Sequence, residues 1–263
     1  MTSPHERGLD DLGLKPLRAL VLGGTSEARK LAVHIAKAPH IDAVMSFAGR
    51  TSAPLDTGLP TRVGGFGGVD GLMRYLTEAK IERVIDATHP FASQISANAR
   101  SACAALGVPL AVFGRQAWRA QAGDRWIEVA NMEAAATALE GDPRRVFLTI
   151  GRLGVAAFRG QPQHEYLIRT IEPPQAEELP PRRSVIMARG PFEREHEIAL
   201  MREYRIDILV TKNSGGLLTY AKIEAARELG LEVIIVAPPV LSDVARLADL
   251  NAAMAFLGAG EAP

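Results

Sequence analysis

The sequence contains a single cysteine, Cys103, among its 263 residues. One thiol cannot form an intrachain disulfide, and it cannot supply the paired cysteines of a zinc site. Cys103 lies in the apolar segment SACAAL, which predicts a small buried hydrophobic residue rather than a nucleophile. The six histidines are dispersed, and no His-x-x-x-His pair with supporting carboxylates occurs. The sequence therefore predicts no metal site.

The sequence also lacks a surplus of charge and long hydrophobic runs. Lys plus Arg and Asp plus Glu number 30 each, so the formal net charge is zero, which argues against a nucleic-acid partner. No apolar run approaches the roughly 18 residues that a membrane-spanning helix needs. The opening segment MTSPHERGLDDLGLKP includes acidic residues and no apolar signal region. We therefore expect a cytoplasmic protein that does not engage a membrane.

Short aliphatic and β-branched runs alternate along the chain with longer segments of helical periodicity. This alternation predicts an α/β fold, in which helices cover both faces of a parallel sheet. Because the pattern occurs twice, we predict two Rossmann-like, doubly wound parallel-sheet domains that face each other across a cleft. A cofactor-binding domain is expected at residues 1–115 and a substrate-binding domain at 116–263. In the second domain, 232–239 is the predicted last strand and 244–258 a closing helix.

The first segment with chemical potential is VLGGTSEA, at the predicted turn between the first strand and the first helix. Such a turn directs backbone N–H groups and a helix N-terminus at a phosphate. Gly23 and Gly24 allow the tight turn and the close approach of a pyrophosphate, and Thr25 and Ser26 can bind its oxygens. The two adjacent glycines depart from the G-x-G-x-x-G pattern. An ordinary glycine turn followed by an N-cap residue is the alternative.

The end of the second predicted strand, MSFAGRTS, lacks the carboxylate that binds the ribose 2′-hydroxyl in NAD-binding domains. It offers Arg50 and Thr51 instead. A guanidinium beside hydroxyls suits a 2′-phosphate, so we predict NADP(H), as NADPH or NADP⁺, as the cofactor. An ordinary surface arginine is the alternative. The glycine-rich segment VGGFGG (63–68) either passes close to the cofactor or is a flexible connection.

The segment IDATHPFA places polar residues at the carboxyl end of another predicted strand. Ligands of doubly wound sheets bind at that edge. Asp86, Thr88 and His89 together can line a nicotinamide or transfer a proton. The alternative is local, because Asp86 or Thr88 can cap the following helix while His89 and Pro90 shape the turn.

In the second half, LVTKNSGGLLTYAKIEAAR predicts a strand followed by a helix over 214–230. Its glycine turn is a second candidate anion-binding site at a helix N-terminus. Thr219 and Lys222 follow within two helical turns, close enough to point back toward this turn. Helix capping with a solvated lysine is the alternative. The candidate ligand-binding residues are Lys212, Asn213, Ser214, Gly215, Gly216, Thr219 and Lys222.

Several other classes of protein fit the sequence less well. The Gly-x-Ser-x-Gly elbow and the P-loop of many hydrolases and ATPases do not occur. Extended short-chain epimerases use Tyr-x-x-x-Lys, whereas Tyr220 and Lys222 are two residues apart and do not share a helix face. A methyltransferase would normally have an acidic ribose ligand in place of Arg50. A non-catalytic NADP-binding sensor would share the first half but would not need the second glycine turn.

Taken in order, these segments resemble the precorrin-6A reductase family of cobalamin biosynthesis. The resemblance spans about residues 20–235 and is carried by LGGTSEA, DATHPFA, Arg115 with Trp118, TIGR, Tyr166 with Arg169, ARGPF and TKNSGG followed by TYAKIEAARELG. It implies that a nicotinamide cofactor reduces one C=C bond of precorrin-6A, with hydride added to C19 and a proton to C18, to give precorrin-6B. The tetrapyrrole substrate bears many carboxylates, which suits a chain with 24 arginines and six lysines. A GC-rich coding bias is the alternative explanation for the excess of arginine.

The reaction requires groups that bind the macrocycle and a source for the proton. We expect Lys212, Ser214 and Lys222 to face the reacting ring or its carboxylates. The proton donor stays open among Asp86, His89, Lys222 and water. Two alternatives also stay open: reduction of the cobalt-bearing form of the same substrate, and the non-catalytic sensor.

Overall fold

The computed structural model describes residues 15–48, 57–239 and 243–258. These residues form two compact units. The first combines the chain up to Arg115 with the later segment 243–258, and the second consists of residues 116–239. Each unit is built on a six-stranded sheet in which every pair of neighbouring strands is parallel. The prediction of two doubly wound α/β domains is therefore confirmed.

In the first unit, the first strand of the chain lies in the middle of the sheet. Its strands are β1 (Leu17–Leu22), β2 (Ile41–Phe47), β3 (Thr61–Val63), β4 (Arg83–Asp86), β5 (Leu110–Phe113) and β12 (Ala245–Leu247). Its helices are α1 (Ser26–Ile35), α2 (Gly68–Glu78), α3 (Ser93–Leu106) and α7 (Leu250–Phe256). The order across the sheet is β12-β5-β4-β1-β2-β3. β1 therefore lies between β2 and β4, with connections that leave toward opposite sides.

Helices cover both faces of the first sheet because each has an apolar stripe at helical spacing. α1 buries Leu31 and Ile35 against one face, where Leu257 after α7 also packs. α2 and α3 cover the other face through residues that include Leu72 and Cys103. Burial raises the pKa of the Cys103 thiol to about 11. Cys103 is thus a buried small hydrophobic residue, as the sequence predicts.

The second unit repeats the same layout. Its strands are β6 (Arg125–Val129), β7 (Arg145–Thr149), β8 (Glu165–Thr170), β9 (Arg183–Met187), β10 (Ile208–Lys212) and β11 (Glu232–Val236). Its helices are α4 (Met132–Thr137), α5 (Arg194–Glu203) and α6 (Ala221–Glu228), with 3₁₀ helices at Arg152–Gly160 and Ala176–Glu178. The order across the sheet is β6-β11-β10-β7-β8-β9. Here β7 lies between β8 and β10, as β1 lies between β2 and β4.

The C-terminal segment joins the first unit, so its assignment to the domain 116–263 is wrong. β12 pairs in parallel with β5, with Leu247 opposite Phe113. Leu257 is fully buried in the first core. The prediction of one helix over 244–258 is also wrong, because its first residues form β12 and only the rest forms α7. β12 satisfies backbone groups that β5 would otherwise leave unpaired at the edge of the sheet.

The substitution Leu257→Ala should lower the free energy of unfolding by about 2–5 kcal/mol, because it removes a fully buried side chain. Hydrogen exchange followed by mass spectrometry should show the loss of protection in residues 15–48 and not in 116–239. Leu106→Ala, at an exposed position on α3, is the control and should change stability by less than about 0.5 kcal/mol. A loss of protection confined to 116–239 would contradict the assignment of this segment.

Candidate functional site

The predicted ligand-binding segments lie where each sheet changes its direction of winding. In the first unit this point is between β1 and β4, and in the second it is between β7 and β10. A crevice opens at the carboxyl ends of the two strands, because their connections leave toward opposite faces of the sheet. Residues 23–26 follow β1. Residues 86–89 begin with the last residue of β4, and residues 212–216 begin with the last residue of β10. The structure thus brings the first two segments together at one switch point.

The turn between β1 and α1 has the strand–turn–helix geometry that the sequence predicts. Gly24 has a φ of +133°, a conformation that favours glycine. A Cβ atom on Gly23 would lie 2.7 Å from the Met45 methyl group, so a side chain here would displace Met45. Thr25 is the N-cap of α1, because its Oγ1 accepts a hydrogen bond from the N–H three residues later (3.1 Å). The same Oγ1 donates to the Ala87 carbonyl (2.8 Å), which ties the turn to the end of β4.

An ion pair that the sequence does not reveal adjoins this turn. Arg115 Nε donates to Glu27 Oε2 (2.7 Å), and its Nη2 donates to Ser26 Oγ (2.7 Å). Burial opposes the ionisation of Glu27, but the hydrogen bond and the charge of Arg115 outweigh it, so the pKa of Glu27 is lowered. Ser26 Oγ in turn donates to Glu27 Oε2 (3.0 Å). The pair therefore fixes the Ser26 hydroxyl at the start of α1, and no local pattern predicts it.

The loop after β4 is held by the carboxylate of Asp86. Asp86 is buried, and its Oδ1 accepts hydrogen bonds from Thr88 N (3.0 Å) and Thr88 Oγ1 (2.6 Å). His89 is exposed, and its Nδ1 accepts a hydrogen bond from Phe91 N (3.2 Å). The neutral imidazole consequently carries its proton on Nε2. Asp86 and Thr88 shape this loop rather than cap α3, whose N-cap position is Ala92.

The predicted 2′-phosphate residues, Arg50 and Thr51, lie outside the described residues. Arg62 in β3 is a cation at the end of β2 that sequence reasoning missed. Its Nη1 donates to Ser46 Oγ (2.9 Å), and its guanidinium donates to two carbonyls of the VGGFGG segment (3.0 and 3.1 Å). The same guanidinium lies 3.8 Å over the ring of Phe66. These contacts hold the glycine-rich segment against the end of β2, which argues against a flexible connection.

In the second unit, Asn213 fixes the chain around Trp118. Trp118 N donates to Asn213 Oδ1 (2.7 Å), and Asn213 Nδ2 donates to the Trp118 carbonyl (3.0 Å). The indole Nε1 of Trp118 donates to the Gly216 carbonyl (2.8 Å). Asn213 is buried and its amide is engaged by these two bonds. Asn213 therefore shapes the loop after β10. Its hydrogen bonds with Trp118 join two signature segments that are far apart in the sequence.

The predicted helix over 214–230 begins later than expected. Gly215 and Gly216 have φ values of +66° and +72°, which no right-handed helix contains. α6 therefore begins at Ala221, so the prediction that Lys212 to Gly216 lie at a helix N-terminus is wrong, while anion binding by these residues stays a prediction. The segment is a loop, in which Ser214 N donates to the Lys212 carbonyl (2.9 Å). Burial lowers the pKa of Lys212.

Lys222 lies buried in the first turn of α6, and not on a solvated face. Its Nζ donates to the Thr219 carbonyl (2.7 Å) and lies 5.0 Å from the ring of Trp118. Burial lowers the pKa of Lys222 to about 7, with a further lowering from the charge of Arg169 and an opposing effect from Glu197. The ammonium group therefore changes its charge near neutral pH, which suits a group that transfers a proton.

Arg169 and Glu197 form a buried ion pair beside Lys222. Arg169 Nη2 lies 2.8 Å from Glu197 Oε2, and a second contact joins Nη1 to Oε1, so the pair is bidentate. The guanidinium also lies 3.8 Å over the ring of Phe192, in the ARGPF segment. Removal of one partner would leave a buried charge unpaired, at a cost of about 3–5 kcal/mol. The sequence shows Arg169 and ARGPF as signature segments, but their contact depends on the fold.

Two general features of the described residues bear on the site. Within residues 15–48, 57–239 and 243–258, histidine, cysteine and acidic side chains do not cluster in threes as potential metal ligands. Over the same ranges, every helix is too short or too polar to cross a membrane.

These observations define a class of protein. The chain is a doubly wound α/β protein of two units, with a glycine turn of the dinucleotide-binding type at its first switch point. A second set of signature residues surrounds the buried Lys222 in the other unit.

The chain belongs to the precorrin-6x reductase CbiJ/CobK family, whose model matches residues 18–258. It is 50% identical to the precorrin-6A reductase of Rhodobacter capsulatus over 241 residues, which are 91% of this chain and 95% of that protein. A solved structure of CobK precorrin-6A reductase is 47% identical, with a TM-score of 0.83 and coverage of 94% of this chain and 98% of that chain. A cobalt-precorrin-6A reductase of Priestia megaterium is 29% identical over 84% of this chain and 90% of that protein. The family identifies the chain as an oxidoreductase.

The buried lysine predicts a dependence of stability on pH. Because the folded state lowers the pKa of Lys222 from 10.5 to about 7, the unfolded chain binds a proton there between these values that the folded chain does not. The free energy of unfolding should therefore rise with pH across this window. Lys222→Met removes the titrating group and should flatten the slope in urea unfolding measured at several pH values between about 7 and 10.

The control for this measurement is Lys37→Met, at an exposed position after α1. This variant should keep the slope of the parent protein. Equal slopes for Lys222→Met and the parent would show that Lys222 does not titrate with a lowered pKa.

Proposed function

We propose that this protein reduces precorrin-6A to precorrin-6B, with NADPH as the reductant. The observation that carries the proposal is the 50% identity to the precorrin-6A reductase of Rhodobacter capsulatus over nearly the full length of both chains. The C18–C19 double bond of the macrocycle is reduced, with hydride added to C19 and a proton to C18. The protein has to align donor and acceptor, bind the carboxylates of the substrate and provide the proton.

The cofactor is assigned to the first unit. Bound NADPH supplies the hydride. The turn formed by Gly23, Gly24, Thr25 and Ser26 suits the pyrophosphate, since a Cβ atom added to Gly24 would meet no other atom within 4 Å and a ligand has room there. Glu27 is an anion at the same helix terminus, but its pairing with Arg115 neutralises it.

The nicotinamide and the 2′-phosphate lie at the two ends of this cofactor. Thr88 and His89 line the nicotinamide side in our assignment, on a loop that Asp86 holds. Arg50 and Thr51 bind the 2′-phosphate, because the end of β2 has no acidic residue for a 2′-hydroxyl.

The macrocycle is assigned to the carboxyl edge of the second sheet. Lys212 and Lys222 are the cations that face its carboxylates, and the loop of Ser214, Gly215 and Gly216 offers backbone N–H groups. Thr219 orients Lys222 through its carbonyl. Asn213 acts as a positioning residue in this scheme, because its amide holds Trp118.

Of the three candidate proton donors, His89 and Lys222 suit the proton transfer better than Asp86. The carboxylate of Asp86 accepts two hydrogen bonds from Thr88 through Oδ1, and this engagement within its own loop favours a positioning role. His89 is exposed, and its imidazolium form is the one that would donate a proton. Lys222 has a pKa of about 7. Full turnover by Lys222→Ala would exclude Lys222 as the required acid and leave His89 or water.

The metal-free substrate is favoured over its cobalt-bearing form. Identity to the precorrin-6A reductase of Rhodobacter capsulatus is 50%, against 29% to the cobalt-precorrin-6A reductase of Priestia megaterium. Both substrates present the same carboxylates, so the residues assigned here apply to either.

Anaerobic mixing of the protein with precorrin-6A and NADPH tests the proposed function. We expect stoichiometric loss of the nicotinamide absorbance, with formation of a product two hydrogens heavier and a slower reaction with NADH. The cobalt-bearing substrate is tested in parallel. Tight binding of NADPH without oxidation in the presence of either substrate would contradict the reductase and favour the sensor.

Arg50→Ala should weaken discrimination between NADPH and NADH. Loss of a charge-assisted contact to the 2′-phosphate costs about 1.5–3 kcal/mol, or roughly 10- to 150-fold in the ratio of kcat/KM values. Arg74→Ala, at an exposed position on α2, removes an equal charge and should leave the ratio unchanged. An unchanged ratio in Arg50→Ala would exclude Arg50 as the 2′-phosphate ligand.

A further inference from the structure

Exposed aliphatic side chains are concentrated at one edge of the second sheet. β10, β7, β8 and β9 are adjacent and parallel, so their carboxyl ends share that edge. Five large apolar residues at or after these ends are exposed, and we call them the apolar edge. They are Leu153 (65% exposed), Ile171 (56%), Met187 (67%), Leu217 (87%) and Leu218 (47%).

All four strands contribute to the apolar edge. Ile171 directly follows β8, and Met187 is the last residue of β9. Leu153 follows β7 within the 3₁₀ helix, and Leu217 lies in the loop after β10. Because adjacent strands are about 4.8 Å apart, the apolar edge extends over about 14 Å. A group of exposed apolar residues of this kind marks an interaction site.

Cations border the apolar edge. Arg152 follows β7, Arg189 follows β9, and Lys212 ends β10. Arg152 pairs with Glu172 at 3.2 Å, and both side chains are nearly half exposed. An ion pair with this exposure contributes little to stability, so a carboxylate of a ligand can displace Glu172 at small cost.

We propose that the macrocycle of precorrin-6A packs one face against the apolar edge, while its acetate and propionate groups meet the bordering cations. This inference rests on the proposed function and specifies how its substrate is bound. A tetrapyrrole has a broad apolar ring system with an acidic periphery, which matches the surface in both respects. A stable protein partner would need about 800 Å² on each side, more than five partly exposed side chains provide.

The double variant Met187→Ser with Leu217→Ser tests the proposal. Both side chains are largely exposed, so the fold should be retained. Binding of precorrin-6A is measured in the absence of nicotinamide cofactor, from the change in protein fluorescence. The Kd for precorrin-6A should rise about 10- to 100-fold, because two apolar contacts with the ligand are lost. The KM for precorrin-6A should rise in parallel, while kcat and the affinity for NADPH stay at the parent values.

The matched control is Ile127→Ser with Leu106→Ser. These two residues are also exposed, but Ile127 lies in β6, at the opposite side of the second sheet from β9, and Leu106 lies at the end of α3 in the first unit. The control should bind precorrin-6A as the parent does. An equal Kd for the parent and the Met187→Ser, Leu217→Ser variant would overturn the proposal. So would a change confined to the sedimentation of the protein, which would show that the apolar edge joins two copies of the chain.

The binding measurement also separates the proposal from the function on which it rests. If the parent binds precorrin-6A without reducing it, the proposed function fails, while the comparison of Kd values still decides the role of the apolar edge. If the parent does not bind precorrin-6A, both are overturned.

Discussion

The parallel pairing of β1 with β4 and of β7 with β10 determines which side chains of each unit can act together. Since all strands of a sheet run the same way, every loop that follows a strand lies at one edge. The hydrogen bond from Thr25 to the Ala87 carbonyl joins two such loops in the first unit. Antiparallel pairing would place these loops at opposite edges, and neither switch point would exist.

The two units use their switch points for different chemistry. In the first, small residues and backbone N–H groups leave room for a ligand at the start of α1. In the second, the indole of Trp118 lies over the buried Lys222, and the buried Arg169–Glu197 pair influences its charge. This difference in the side chains present supports our assignment of a dinucleotide to the first unit and of a carboxylate-rich macrocycle to the second.

The sequence predicts elements whose signal is local and misses contacts between distant segments. The glycine turn, the buried Cys103 and the repeated strand–helix alternation are local patterns, and the structure confirms them. β12 has only three residues, too few for a periodic signal, and its partner β5 lies far away in the sequence. The pairing of Arg115 with Glu27 likewise joins residues 88 positions apart. The positive φ angles of Gly215 and Gly216 prevent α6 from beginning at residue 214 as predicted. Helical periodicity in the sequence does not detect this backbone effect.

The central claim is that hydride passes from NADPH to C19 of the macrocycle, and isotopic labelling tests it most directly. The protein is mixed anaerobically with precorrin-6A and NADPH that carries deuterium at both C4 positions of the nicotinamide. The product is then analysed by mass spectrometry and NMR. Our account predicts one deuterium in precorrin-6B, located at C19, and a solvent-derived hydrogen at C18. Deuterium at C18, or a reduced product without deuterium, would contradict it.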